Sequence, residues 1–218
     1  MDDEDAYPVP PPDLGANAIV CGMPGEVAAT NEDFAALEGC ELFLGRLVML
    51  NANATVLAPL ASLRVIREDL AGGGGNDALE SLHGLERVEW VGSLHFSRDG
   101  LRDLAGLVAL TGIEEGFQLF DMPFIEDCSG LGELRTVGGG VSFVINDELS
   151  RLDGLSGLEW IGGDLRIEDN PKLETLDGLS SLRQVDGDVT IILNPLLSAA
   201  EVDAFVGRLV IGGTVHLD

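Results

Sequence analysis

Three histidines (His83, His95, His216), three cysteines (Cys21, Cys40, Cys128) and 38 carboxylates are the residues of this chain that could bind a metal or run acid–base and nucleophilic chemistry. Two carboxylates facing each other across a sugar could also cleave a glycosidic bond. The run Gly72-Gly73-Gly74-Gly75 invites comparison with a phosphate cradle. No Lys-Ser/Thr follows it and no helix pattern starts there, so it fails as a P-loop and reads instead as a bulged, irregular stretch. Trp90 and Trp160, if exposed, could stack on a sugar or anchor a protein interface, or each could simply cover the bend of its own repeat.

Whether any of these residues meet depends on the elements that carry them, and those follow a repeat. Gly-Leu recurs at residues 84, 106, 130, 154 and 178, at spacings of 22, 24, 24 and 24. A fixed period in the 20s marks stacked units, none of which can bury its apolar face alone. In the clearest unit Leu165 and Ile167 alternate, as in a short half-buried strand; Leu173, Leu176, Leu179, Leu182 and Val185 then follow at three-residue spacing, which suits bends and 3₁₀ turns. Propagating the register gives eight inward pairs: Leu47/Met49, Leu70/Gly72, Leu94/Phe96, Phe117/Leu119, Val141/Phe143, Leu165/Ile167, Val189/Ile191 and Val215/Leu217. The expected fold is mainly β: a right-handed β-helix or leucine-rich-type solenoid of about eight coils of 22–26 residues, with one parallel strand per coil.

Three residues after the second inward position stands Asn146, Asn170 or Asn194, placed to satisfy bend backbone through a ladder of amides. Earlier repeats carry Ala52, Gly75, Asp99 and Met122 there, so the ladder is partial. Thr30-Asn31-Glu32-Asp33 opens a short helix ending at Gly39, and Ser198 with Glu201 forms a capping box for a second helix through about Val206. Helices at both ends would shield the apolar ends of the stack.

The 45% hydrophobic content with 5% aromatics requires an aliphatic core. A net charge of −26 repels nucleic acid, and favours solubility, divalent-cation association or life in high salt. Residues 1–16, acidic and then Pro-rich, read as a disordered tether, and 17–218 as the folded domain. No 18-residue apolar stretch spans a membrane and no apolar signal region precedes the acids; export would place a signal or lipid anchor upstream. Asn53-Ala54-Thr55 is a glycosylation sequon only in a eukaryotic secretory setting.

The register also sorts the chemistry. His95 and His216 share an outward column five repeats apart, roughly 24 Å at strand spacing, and cannot share a metal; His83 sits in a bend. No Ser-His-Asp or Cys-His set assembles, and the outward acids Glu168 and Asp218 lie two repeats apart. No cofactor or metal is expected. The outward columns do hold Phe120, Val144 and Ile192 beside Gln118 and Ser142. Apolar residues on a sheet face mark either a contact surface or a patch covered by another segment. Trp90 and Trp160 fall in one further outward column, three repeats apart. Cys128 takes the inward position of Leu152 and Leu176 and should be a buried, inert thiol.

The stretch Val20-Cys21, Thr30-Asn31-Glu32-Asp33-Phe34, Leu37-Glu38-Gly39-Cys40 and Gly45-Arg46-Leu47-Val48-Met49 resembles the opening of receptor L domains, the leucine-rich β-helical modules of insulin- and epidermal-growth-factor-receptor ectodomains. Bacterial and fungal surface proteins carry similar modules, often with the Gly-Asp-Leu-x-Ile form seen at 163–167. The resemblance implies a Cys21–Cys40 disulfide. Such a bridge closes a 20-residue loop, a constraint of about 3 kcal/mol, and implies an oxidising compartment. The receptors' Cys-rich module and kinase have no counterpart here, so their ligands do not carry over. The expectation is a non-enzymatic, extracellular or cell-envelope recognition or adhesion module that binds a protein or glycan through its open sheet face. A β-helical polysaccharide-active enzyme and a purely structural surface spacer are the alternatives.

Overall fold

A computed structural model describes residues 10–49, 57–74 and 76–218. In chain order the strands are β1 (Val20–Cys21), β2 (Val27–Ala28), β3 (Leu42–Phe43), β4 (Arg46–Met49), β5 (Val65–Gly72), β6 (Trp90–Ser97), β7 (Gly112–Ile113) and β8 (Phe117–Phe120). They continue as β9 (Thr136–Val137), β10 (Val141–Val144), β11 (Trp160–Ile161), β12 (Leu165–Glu168), β13 (Gln184–Val185), β14 (Val189–Ile192), β15 (Val210–Ile211) and β16 (Val215–Leu217). Two helices, α1 (Asn31–Ala36) and α2 (Ala199–Gly207), complete the regular structure. The protein is mainly β, and its strands form one large parallel sheet.

The sheet has two columns. The longer strands β4, β8, β10, β12, β14 and β16 make one, and the two-residue strands β3, β7, β9, β11, β13 and β15 make the other. The eight-residue strands β5 and β6 run through both and tie them together. The second column corrects the expectation of one strand per repeat. A two-residue strand offers no alternation to read, so its pairing is visible only in three dimensions.

All eight expected inward pairs stand in register: Leu47 on Leu70, Leu94 on Phe117, Val141 on Leu165 and Val189 on Val215 are representative. From Leu47 to Ile191 the apolar members are buried, together with the three-spaced leucines, in one aliphatic core. Three-residue spacing does produce 3₁₀ turns, at Ala58–Leu60, Ala105–Leu107 and Asp177–Leu179.

The repeated Gly-Leu has a steric cause. A Cβ on Gly84, Gly106, Gly130, Gly154 or Gly178 would strike the carbonyl of Leu57, Leu82, Leu104, Cys128 or Leu152, each one repeat earlier. Backbone touches backbone at this corner, and only glycine permits it.

The amide ladder is present and fully buried. Asn146, Asn170 and Asn194 each donate from Nδ2 to an inward-strand carbonyl one repeat earlier (Leu119, Phe143, Ile167) at 3.2, 3.0 and 2.9 Å. Their Oδ1 atoms accept the N–H of the preceding rung: Met122, Asn146 and Asn170. Asn76 makes the same bond to the Met49 carbonyl at 3.2 Å. The expected rung was Gly75; the structure puts it one residue later, because this loop is one residue longer. Gly75, Ala52 and the Asn53 sequon lie outside the described residues. The break in strand register falls between Ile66 and Asp69, upstream of the glycine run expected to bulge.

Cys21 and Cys40 form a disulfide, with Cα atoms 5.9 Å apart, around α1. Thr30 caps that helix by accepting the Asp33 N–H, while Asp33 accepts the Thr30 N–H at 2.9 Å. The Ala29 and Thr30 amides hold the Asp33 carboxyl below its usual range. At α2 only half the expected capping box forms: Ser198 accepts the Glu201 N–H, but Glu201 reaches across to the Leu176 N–H at 2.7 Å. Arg208 donates to the Leu179, Ser180 and Leu182 carbonyls. α2 thus lays Val202 and Phe205 on the core at the C-terminal end and covers part of it, while Val215 and Leu217 stay 41% and 37% exposed.

Gly154→Ala should lower unfolding stability by at least about 2 kcal/mol, since it combines a positive φ with the Cys128 carbonyl contact. Gly132→Ala, whose Cβ would meet nothing within 4 Å, should be neutral or stabilising by up to about 1 kcal/mol. Equal losses in denaturant titrations would remove the close-approach argument. Asn170→Ala orphans the Phe143 carbonyl and the Asn146 amide, and should cost about 3–5 kcal/mol in the same measurement.

Candidate functional site

Side chains that alternate outward from the longer strands form the face on which function was expected. One column runs His95, Gln118, Ser142, Arg166 and Thr190 on successive strands, each paired directly with the next. Strand pairing sets these side chains about 4.8 Å apart.

The first four members line a trough of about 290 Å³ whose edge is formed by Gly116, Gly140 and Asp164. These three precede the inward residues Phe117, Val141 and Leu165. A Cβ at Gly116 would only touch His95 Nε2, at 3.4 Å, so the two glycines lower the edge of the trough without being required by the ring. His95, Gln118 and Ser142 have no side-chain hydrogen bond or ion pair among the described residues, which leaves their donors and acceptors available. Arg166 is ion-paired with Glu168, and Asp164 accepts the Asp188 N–H at 2.8 Å. Asp188 in turn accepts the Thr214 N–H and hydroxyl, which hold its carboxyl below the usual range.

The neighbouring apolar column differs from its expected form. Val144 is only 7% exposed, and Phe120 and Ile192 are half-buried, so no open apolar patch exists here. Glu168 lies between Val144 and Ile192. The column works as an apolar flank to the trough.

The tryptophans are not brought to the trough. They lie in the short-strand column, linked through Gly112 and Thr136. Trp90, outward in register and left open between exposure and covering its own bend, is 1% exposed under the Arg67 guanidinium, which stands 5.2 Å from its ring centroid. Trp160 is half-buried, and its indole N–H donates to Asp186 at 3.1 Å. The end of the N-terminal segment, Pro11–Ala16, lies alongside Leu42, Val65 and Arg67 of the short-strand column, enclosing about 350 Å³.

His83 pairs with Glu86 and His216 with Thr214. Among the described residues no three His, Cys, Asp or Glu side chains gather as a metal site. Of the outward acids, Glu168 is held by Arg166 and Asp218 by the Leu193 N–H. No helix among the described residues is long and apolar enough to cross a membrane. No protein-family model matches the chain, and neither the curated proteins nor the solved structures contain a match to it.

Sequence reasoning placed the outward columns and missed the trough. Its signal was legible: Gly116 and Gly140 stand where the flanking repeats have Ser93, Asp164, Asp188 and Thr214. Cys128 is fully buried in the core, as its register required, and burial pushes its thiol well up. It should react with a thiol reagent only as fast as the protein unfolds. Native-state labelling at the rate of an exposed thiol would overturn the register.

Proposed function

We propose that this protein is a non-enzymatic recognition or adhesion module of the extracellular space or cell envelope, which holds a neutral glycan chain along the outward face of its longer strands. The observation that carries this reading is the trough, in which His95, Gln118, Ser142 and Arg166 present one polar side chain per strand over glycine-cleared space. A regular ladder of donors and acceptors on a rigid sheet suits a polymer that repeats along its length. The net charge of −26 disfavours phosphate-rich or acidic polymers.

In this reading the two-column parallel sheet is a β-solenoid of about eight coils of the receptor-L-domain kind, begun by the disulfide-clasped α1. Its period, amide ladder and opening cysteines support that assignment. The Cys21–Cys40 disulfide supports an oxidising, exported setting. Catalysis is disfavoured because Glu168 and Asp218 lie two strands apart and each is already engaged.

Glycan-array screening of the whole chain, followed by calorimetry, tests the proposal. Gln118→Ala and His95→Ala should each weaken saturable binding about tenfold, with thermal midpoints unchanged; that corresponds to about 1.4 kcal/mol. Arg87→Ala, on an exposed bend, should bind like the parent. Glycan binding indifferent to both trough variants, or protein capture without any glycan binding, would overturn the glycan reading.

A further inference from the structure

Asp99 occupies a rung of the amide ladder where the neighbouring rungs are Asn76 and Met122. At Asn76, Asn146, Asn170 and Asn194 the side-chain nitrogen donates to the second inward residue of the preceding repeat. For Asp99 the equivalent residue is Gly72, in register with Met49. An ionised carboxylate can accept but cannot donate, so it has no hydrogen for that carbonyl.

The local packing is built around this carboxyl. Asp99 is 0% exposed; its Oδ2 accepts the Ser97 N–H at 3.2 Å, and its Oδ1 has no partner among the described residues. The backbone N–H groups of Asn76 and Gly74 lie close enough to favour its anion. Gly72 is the one inward strand position without a side chain, and a Cβ there would collide with Asp99 Oδ2. The acid fills core space that Met49, Phe96 and Leu119 fill in adjacent repeats.

We propose that Asp99 is a proton-operated rung: as the neutral acid its hydroxyl donates to the Gly72 carbonyl as the asparagines do, and on releasing that proton to solvent it loosens the contact between β5 and the loop after β6. No cation compensates it among the described residues. Asp69 of β5 is tied to Arg46, Arg98 turns to Asp121, and the next rung is the uncharged Met122. Asp77, beyond Asn76, adds a like charge. Burial is the largest influence and, with Asp77, raises the carboxyl from 3.8 to about 6 against the three amides that favour its anion.

The sign follows from proton linkage. Between pH 3.8 and about 6 the folded chain holds a proton that the unfolded chain has lost, so this group's contribution to stability falls as pH rises through that window. The C-terminal rungs, all asparagine, have no such dependence.

Thermal and denaturant unfolding of the wild type and Asp99→Asn between pH 4 and 7.5 test the rung. The two should converge at low pH. At pH 7.5 Asp99→Asn should have an unfolding constant about 100-fold lower, the equivalent of a two-unit window. Native-state hydrogen exchange at Gly74 and Asn76, corrected for intrinsic rate, should accelerate over the window in the wild type alone. Parallel pH curves, or an Asp99→Asn chain weaker at every pH, would show an anion held by its amides and overturn the proposal. Asn146→Asp supplies an independent arm: it should import the same pH dependence into the C-terminal half, and a flat response there also counts against the rung.

Discussion

The contact on which the rest depends is the approach of glycine backbone to the carbonyl one repeat earlier. At Gly84, Gly106, Gly130, Gly154 and Gly178 no side-chain atom fits between the two chains. This contact fixes how closely successive repeats stack at that corner. Strand pairing fixes the distance at the sheet, and the two must agree for both to form. A chain meeting both conditions has little freedom in repeat length, which explains spacings of 24 held three times in succession. The leucine that follows each glycine then points into the core beside its equivalents, and all five are fully buried.

Most of this was legible from residue types because the governing rule is local. Leu165 and Ile167 alternate, the same alternation recurs, and the register follows from arithmetic. What escaped involved elements too short to carry a period or contacts set by more than one repeat. The short-strand column has two residues per strand, so Trp160 and Ile161 give no pattern to read. Trp90 was assigned outward correctly, but outward from its strand does not mean exposed, because Arg67 of the neighbouring strand covers it. Asn76 was missed by one position because the rule assumed a constant loop length. Val144 was misjudged for another reason: strand alternation gives direction, while exposure depends on the sizes of neighbours such as Phe120.

Polar groups in the interior follow the same economy as the apolar ones. Each asparagine rung satisfies a carbonyl behind it and an amide of the rung before it, so few bend groups in the C-terminal half depend on water. The earlier repeats keep one asparagine, Asn76, and otherwise reach their bends with an acid and a methionine, and with a glycine in place of a core side chain. The trough belongs to neither arrangement. It arises where two outward neighbours shrink to glycine and three polar side chains are left without internal partners, in a chain that otherwise ties seven of its twelve cations into ion pairs.

The ladder also has a direction. Every rung serves the one behind it: Asn194 donates to the Ile167 carbonyl and accepts the Asn170 N–H, while Asn146 and Asn170 also donate ahead to the Oδ1 of the next rung, and Asn194, the last, has no such rung to reach. Duplicating one whole unit in the C-terminal half would therefore replace the bonds at the junction with bonds of the same kind, asparagine to asparagine. Inserting a single residue would disturb one loop, as the lengthened stretch before Asn76 illustrates. Length in such a chain is inherited in quanta, and lineages built on it can grow or shrink by whole units while single-residue changes stay confined to their own turn.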